Sequence, residues 1–178
     1  MTGLTLELNI NSASDLENVN YITKMNVYAV VTLLGDKKIQ EVKTAVDRYG
    51  GSNPNWNHAV KFSVNERLAR EGRLTLVVGL FSSRLLGDKD IGKVEVPLVY
   101  LLPSANGNGS MKFVTYQVRT PSERMKGSLT FSYCTPLFPV QLTNRYQLRG
   151  HRRVSMVMDR IVTCRSRHHR LGIRRMKK

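Results

Sequence analysis

One pattern recurs along this chain and limits what it can become: short runs in which apolar and polar residues strictly alternate, cut by turn residues. Leu4, Leu6, Leu8 and Ile10 alternate with Thr5, Glu7 and Asn9. Period-two alternation puts one set of side chains on one face of an extended strand, so this run reads as a strand with one buried and one wet face. Asn26 to Leu34 is a second strand, with Val27, Ala29, Val31 and Leu33 on one side and enough apolar residues on the other to be central. Ile39 to Val46 is a third, carrying Lys43. Asn53-Pro54 must turn the chain, because proline fixes φ and cannot donate to a ladder. After it Trp56, Val60, Phe62 and Val64 recur at even positions, with His58 breaking the apolar set. The only Trp reads as a packing residue that plugs one end of a sheet core. Leu74 to Leu80, Ile91 to Leu98, Phe113 to Val118 and Leu129 to Tyr133 complete the set, and Asn65 to Gly72 is at most one helical turn. Eight short strands at this spacing, with almost no helix, predict an all-β antiparallel sandwich.

Charge divides the chain differently. The net charge is +15, yet residues 1–141 hold 16 Lys and Arg against 12 Asp and Glu, while residues 142–178 hold 12 against the single Asp159. The reading is a sandwich domain over residues 1–135 and a strongly basic tail over residues 136–178. Such asymmetry points to an anionic partner, either a membrane surface or nucleic acid. No apolar run reaches the eighteen or so residues of a membrane span, and Met1-Thr2-Gly3 leads directly into strand residues rather than a signal sequence. The expectation is a cytoplasmic protein, peripheral at the plasma membrane or endomembranes, with the nucleus as a second location. Cys134 and Cys164 form neither a disulfide framework nor a zinc pattern.

Within the tail, Val154, Val157, Met158 and Ile161 fall at helical spacing with Arg152, Arg153 and Arg160 off the stripe, which fits a short basic amphipathic helix. Arg165, Arg167, Arg170, Arg174, Arg175, Lys177 and Lys178 follow in a segment expected to be disordered when unbound. All of these are candidate anion contacts, each contributing on the order of 1 kcal/mol near an anionic leaflet. Arg152-Arg153-Val154-Ser155 resembles a basophilic kinase site, and phosphate on Ser155 would oppose adsorption to a bilayer. The single aromatic of residues 142–178, Tyr146, supports base stacking poorly.

Four segments carry a family resemblance. Asp15-Leu16, then Lys24-Met25-Asn26-Val27-Tyr28-Ala29-Val30-Val31, then Asn53-Pro54-Asn55-Trp56-Asn57, then Gly87-Asp88-Lys89-Asp90-Ile91-Gly92-Lys93-Val94 together resemble a C2 domain. The segments from Ser110 to Arg119 and from Lys126 to Tyr133 narrow the likeness to small single-domain plant proteins of the cold-regulated type, over about residues 4–134. The resemblance implies an eight-stranded C2-type sandwich that docks on anionic phospholipid through loops at one end, Ca2+ bridging loop carboxylates and phosphate. Carried over position by position, the first loop's two aspartates fall on Asn20 and Asn26, the third loop's leading ones fall near Ser82 and Ser83, and only Asp88 and Asp90 stay acidic. An amide offers one neutral oxygen where calcium wants charged ones, so this set implies weak or lost Ca2+ binding and no other cofactor. Asp88 and Asp90 fit a solvated turn as well. The resemblance also implies a lysine-bearing face on the third and fourth strands, here Lys43 and Lys61 with Lys37, Lys38 and Arg48 nearby, as a candidate lipid contact; exposed strand lysines equally protect edges from pairing.

Catalysis is the weakest class. The chain lacks a nucleophile elbow, a zinc-protease helix motif and a P-loop, and its sandwich region holds one histidine, His58. The leading expectation is a noncatalytic peripheral membrane-binding or adaptor protein with lipid and protein partners, in plant stress or defence signalling as the resemblance implies. The alternative is a protein-interaction module whose tail directs it to the nucleus or to nucleic acid.

Overall fold

A computed structural model describes residues 3–36, 39–102 and 111–134. Eight strands run in the order β1 (Gly3–Ser14), β2 (Val27–Leu34), β3 (Gln40–Lys43), β4 (Asn55–Asn65), β5 (Thr75–Ser82), β6 (Lys89–Pro97), β7 (Lys112–Arg119) and β8 (Met125–Cys134). Between β4 and β5 lies the five-residue helix α1 (Glu66–Arg70), where the Asn65 carboxamide oxygen accepts from the Leu68 N–H at 3.3 Å. That cap satisfies a donor the helix start would otherwise leave open. A 3-10 turn, Leu98–Leu101, follows β6.

All pairings are antiparallel, in the order β3-β2-β5-β6-β7-β8-β1-β4. The link between β6 and β7 is a single pair, Lys93 with Arg119, so the ladder bends there into two layers of four strands. Leu6, Leu8 and Ile10 of β1, Phe62 of β4 and Phe131 of β8 pack in one core with Val31 and Leu33 of β2 and Leu76, Val78 and Leu80 of β5. The alternation legible in the sequence is the inward half of each strand.

Two bulges explain where strand boundaries depart from the sequence expectation. In β1 the register with β4 and β8 shifts between Ile10 and Ser12. Parity flips at Asn11, so Ala13 is buried and β1 continues to Ser14, beyond the alternating run that ends at Ile10. Opposite it, Asn57 adopts φ 45° and its carboxamide oxygen accepts from Asn11 Nδ2 at 3.3 Å. Trp56, expected to plug the core, is half-buried against it and reaches across to donate its indole N–H to the Val27 carbonyl at 3.0 Å. In β6, Leu80 pairs with Gly92 but Phe81 pairs with Asp90, leaving Ile91 as the extra residue. Ile91 and the pair Val94 and Val96 therefore all reach the core despite opposite parity.

The expected third strand is shorter than read, because at Thr44 the backbone N–H still donates to the Ala29 carbonyl at 2.9 Å but the side chain takes the place of the backbone acceptor. Its hydroxyl accepts from the Ala29 N–H at 3.0 Å, and pairing resumes at one isolated bridge, Val27 with Asp47. Asp47 then organises the loop to β4. Its Oδ1 accepts from the N–H groups of Tyr49 at 2.7 Å and Gly50 at 3.0 Å, and its Oδ2 from that of Asn55 at 2.8 Å. Burial pushes this carboxyl up, but the Asn55, Tyr49 and Gly50 donors, with the charge of Lys24, outweigh it and hold it below the ordinary carboxylate value.

Both joints can be tested by substitution. At Gly92, φ is 150° and a Cβ would lie 2.5 Å from the Arg119 carbonyl oxygen and 2.9 Å from Val118 Cγ1. Gly92→Ala should lower the unfolding free energy by roughly 2–3 kcal/mol in urea titration. Gly87→Ala, at φ 106° with nothing within 4 Å of the added Cβ, should cost only about 1 kcal/mol. Equal losses would show that crowding at the bend is unimportant. Asp47→Asn should lower stability by roughly 1–2 kcal/mol near neutral pH, since a single amide oxygen cannot serve donors on both sides. The folded pKa lies below the unfolded value of about 3.9, so the carboxylate's contribution is present above that pH and disappears as pH falls through the folded value. The variant should therefore lose less stability than the parent between about pH 5 and pH 2, as read from the urea midpoint at each pH; parallel curves would sink the assignment.

Candidate functional site

Strand direction gathers four connections at one end of the sandwich: residues 15–26 after β1, 44–54 after β3, 83–88 after β5 and 120–124 after β7. The opposite end carries α1, the 3-10 turn and Cys134, where the chain leaves β8. Three of the four connections enclose a cleft of about 620 Å³, lined by Asn20, Thr23 and Asn26 from the first, Val46 and Arg48 from the second, and Ser83, Arg84, Leu85, Leu86 and Gly87 from the third.

The first loop is tied by Asn20, whose Nδ2 donates to Thr23 Oγ1 and the Lys24 carbonyl, both at 3.3 Å, while its Oδ1 accepts from the Ser82 hydroxyl at 3.3 Å. Asn26 accepts the Ser83 N–H at its backbone carbonyl, 2.8 Å. Arg84 reaches from the third loop to donate through Nη2 to the Val19 carbonyl, joining first and third loops directly. On its far side the first loop is clamped to the turn after β7 by Arg124 with Glu17 at 2.5 Å and Lys126 with Asp15 at 2.6 Å. Arg48, by contrast, has no hydrogen bond or ion pair among the described residues, and it is exposed at the cleft wall.

The acidic candidates lie elsewhere. Asp88 Oδ2 accepts the Tyr28 hydroxyl at 2.5 Å and Oδ1 accepts the Arg84 N–H at 3.2 Å. The Tyr28 bond, then the Arg84 N–H, outweigh what desolvation there is and, with the charge of Lys43, hold this carboxyl below its usual range. Burial first, and then the Asp88 carboxylate, push the Tyr28 phenol up to about 12. Lys43 Nζ sits 3.6 Å above the Tyr28 ring, and Phe81 stacks on its neighbour Tyr28 at 5.6 Å. Asp90 stands in β6 opposite Phe81, not in the loop where the family pattern puts it. Of the four residues carried over for calcium, Asn20 and Asn26 line the cleft and Asp88 and Asp90 do not. Among the described residues no three His, Cys, Asp or Glu side chains come together as a metal-binding group. Asn20 and Asn26 thus bring two neutral amide groups to a cleft that Arg48 and Arg84 also line.

The basic candidates also separate. Lys61 is engaged by Glu7 across β1 and β4 at 2.8 Å. Its strand and that of Lys43 are the two edges of the ladder, brought together by Gln40, whose carboxamide donates to the Ser63 carbonyl at 2.6 Å and accepts the Ser63 N–H at 2.9 Å. Lys37, Lys38, Ser155 and all the arginines and lysines named in the tail lie outside the described residues.

Sequence reading missed the loop tips. Tyr21 is 103% exposed, Ile22 98%, Tyr49 87%, Leu85 104% and Leu86 101%, all on the loops that border the cleft. Large apolar side chains gathered at one end of a domain mark an interaction surface more than scattered ones do. The available signal was the adjacent pairs Tyr21-Ile22 and Leu85-Leu86 inside otherwise polar segments.

Known proteins place this arrangement in a family. The family model described as "C2 domain" matches residues 4–113. Protein SRC2 of Glycine max is 54% identical over 130 residues, 72% of this chain and 45% of that protein, so the chain spans less than half of this relative's length. Elicitor-responsive protein 3 of Oryza sativa is 30% identical over 132 residues, 72% of this chain and 83% of that protein. Among solved structures, a C2 domain of plant extended synaptotagmin 1 superposes with a TM-score of 0.63 at 20% identity, covering 76% of this chain and 95% of that one, a likeness of fold. With its eight-stranded antiparallel sandwich and its three-loop cleft, the chain belongs to the C2 domain family.

Proposed function

We propose that this protein is a noncatalytic peripheral membrane-binding module that docks its loop end on anionic phospholipid without requiring Ca2+, in stress or defence signalling at the cytoplasmic face of plant membranes. One observation carries the reading: apolar side chains stand fully exposed on three neighbouring loops, with arginines between them. Water penalises exposed Leu, Ile and Tyr surface, and a lipid interface removes that penalty while leaving guanidinium groups among phosphates. Full burial of one leucine contributes about 1.5–3 kcal/mol. The basic tail adds adsorption, on the order of 1 kcal/mol for each Lys or Arg close to an anionic leaflet. Calcium is dispensable on this reading, since the carboxylate that the family pattern keeps at Asp88 is committed to Tyr28 and Arg84. The signalling context rests on the family resemblance and on the name of the elicitor-responsive relative.

Cosedimentation of the full chain with vesicles tests this. Binding to phosphatidylserine vesicles should persist in chelator, fall steeply between low and high salt, and be weak on phosphatidylcholine. Binding that appears only with Ca2+, or that is absent from every vesicle while RNA is retained, would sink it. A double change, Leu85→Asp with Leu86→Asp, should weaken vesicle binding by roughly 30-fold or more, with the midpoint of urea unfolding unchanged because both side chains touch only solvent. Undiminished binding would remove the loop tips from the contact and leave the tail alone.

A further inference from the structure

We infer that Ser122, at the tip of the turn between β7 and β8, is a phosphoacceptor for a basophilic serine kinase, and that its phosphate takes Arg124 from Glu17 and releases the first loop. The modification stands apart from the docking reading above, and only its effect on vesicle binding rests on that reading. The step is transfer of the γ-phosphoryl group of ATP. A bond forms from Ser122 Oγ to the phosphorus and the bond from that phosphorus to the β,γ-bridging oxygen breaks. ADP leaves with that oxygen, and the hydroxyl proton passes to a base of the kinase.

Sequence and exposure single this hydroxyl out. Among the described residues Ser122 is the only Ser or Thr that stands three positions after an arginine, in Arg119-Thr120-Pro121-Ser122, the spacing that also links Arg152 to Ser155. Pro121, Ser122 and Glu123 are all exposed, so the hydroxyl is within reach of an enzyme. The Glu123 N–H closes the turn by donating to the Thr120 carbonyl at 2.9 Å, and Glu123 itself holds a left-handed backbone at φ 61°. Extending the turn into a kinase cleft gives up that bond but relieves a conformation unfavourable to any residue with a Cβ. The same opening carries the Glu123 carboxylate away from Arg119, which it meets at 3.3 Å in the closed turn. One side of the Arg119 guanidinium then becomes free for recognition.

Arg124 already stands beside the acceptor atom. Its Nε donates to Ser122 Oγ at 3.1 Å, while Nη2 of the same guanidinium holds Glu17 at 2.5 Å. The Ser122 proton goes to Thr120 Oγ1 at 3.0 Å, since the Thr120 hydroxyl donates its own to the Arg124 carbonyl at 3.1 Å. Phosphorylation removes the Ser122 proton and puts about two negative charges and three strong acceptor oxygens where one neutral acceptor stood. A carboxylate with a single charge competes poorly with that group for one guanidinium fork. Glu17 then loses the one ion pair it has among the described residues, and this side of the clamp rests on Lys126 and Asp15 at 2.6 Å. The segment so released leads to the exposed Tyr21 and Ile22. Charge shifts at the same time. Lys93, Arg119, Arg124 and Lys126 are balanced around the turn by Glu95, Glu123, Glu17 and Asp15, and a phosphate tips that balance to an excess which an anionic leaflet repels.

The acceptor is tested on the full chain carrying Ser155→Ala and Thr163→Ala, which silence the two arginine-led sites of the tail. It is incubated with ATP, Mg2+ and the catalytic subunit of cAMP-dependent protein kinase, and phosphate is mapped by mass spectrometry. Phosphate should enter Ser122. Arg119→Gln should slow this by roughly tenfold or more, Arg119→Lys should recover part of the rate, and Arg67→Gln in α1 at the opposite end should leave it unchanged. No phosphate on Ser122, or equal slowing by Arg119→Gln and Arg67→Gln, would overturn the site. The release is read on full chain synthesised with phosphoserine at position 122, so that no kinase is involved. Amide hydrogen exchange over residues 16–20 should quicken by roughly two- to fivefold, the range that loss of an exposed ion pair supports. Glu17→Gln should quicken it alike and cancel any further effect of the phosphate. A loop that exchanges as before, or one that the phosphate still loosens in Glu17→Gln, refutes the transfer of Arg124. On phosphatidylserine vesicles the phosphate should weaken binding by roughly fivefold or more. Unchanged vesicle binding over a loosened loop counts against the docking reading and upholds the switch, whereas vesicle binding with the loop unmoved upholds docking and sinks the switch.

Discussion

The two layers of this domain hang on one crossing, where β6 and β7 share the pair Lys93 and Arg119 and Gly92 lets the strands close. Everything to one side of that pair is the layer β3-β2-β5-β6, and everything to the other is β7-β8-β1-β4. The crossing is reinforced outside by charge. Glu95 takes Lys93 at 2.8 Å and Arg119 at 2.9 Å, and Arg119 also reaches Glu123 at 3.3 Å. The Lys93 hydrogen bond, more than its burial opposes, keeps the Glu95 carboxyl below the ordinary range, with the Lys93 and Arg119 charges adding to it. Exposed pairs of this kind contribute little singly, typically below about 1 kcal/mol, so the packing at Gly92 rather than the ion network sets the bend.

That bend also fixes the functional end. The chain turns after β5 and re-enters at Lys89, and the bulge at Ile91 aligns the start of β6 so that Asp88 meets Tyr28 of β2, sixty positions away in sequence. With its carboxylate held against Tyr28, the third loop projects Leu85 and Leu86 outward and turns Arg84 toward the first loop. Asp47 performs the corresponding task in the second loop, fixing the backbone on either side of Gly50 and Gly51 so that Arg48 and Tyr49 stay outside. Both acids are structural, and by being structural they free the cleft of negative charge.

How much of this is legible in the sequence follows from what each inference needs. Strand number and order are readable because the core of a sandwich imposes period two locally, run by run. The ends of β1 and β6 are not, because a bulge reverses parity and makes Ala13 or Ile91 look like the wrong face. The amides Asn20 and Asn26 are placed at the cleft through the family pattern alone, and the structure puts them there. Asp88 reads in sequence as a loop acid open to solvent or ligand, since its bond to Tyr28 is a contact between distant segments that no spacing rule reveals. The tips escape notice for a different reason: an apolar residue in a loop ordinarily folds back on the core, and only coordinates distinguish Leu101, which does, from Leu85, which does not.

The basic tail and the loop end start from opposite poles of the domain, since β8 runs away from the loops and delivers Cys134 to the far side. Ten strand residues at about 3.3 Å each put that exit roughly 33 Å from the loops. The 44 residues after Cys134 have a contour of up to about 150 Å, several times that distance. Exit from the far pole therefore does not keep the tail's charges from the surface the loops face. On the proposed docking it does separate the two contributions: the loop tips are held by the sandwich, whereas the tail contributes net charge. On the proposed docking, a domain whose own described surface is only mildly basic gains long-range capture from the second and orientation from the first, without a metal bridge.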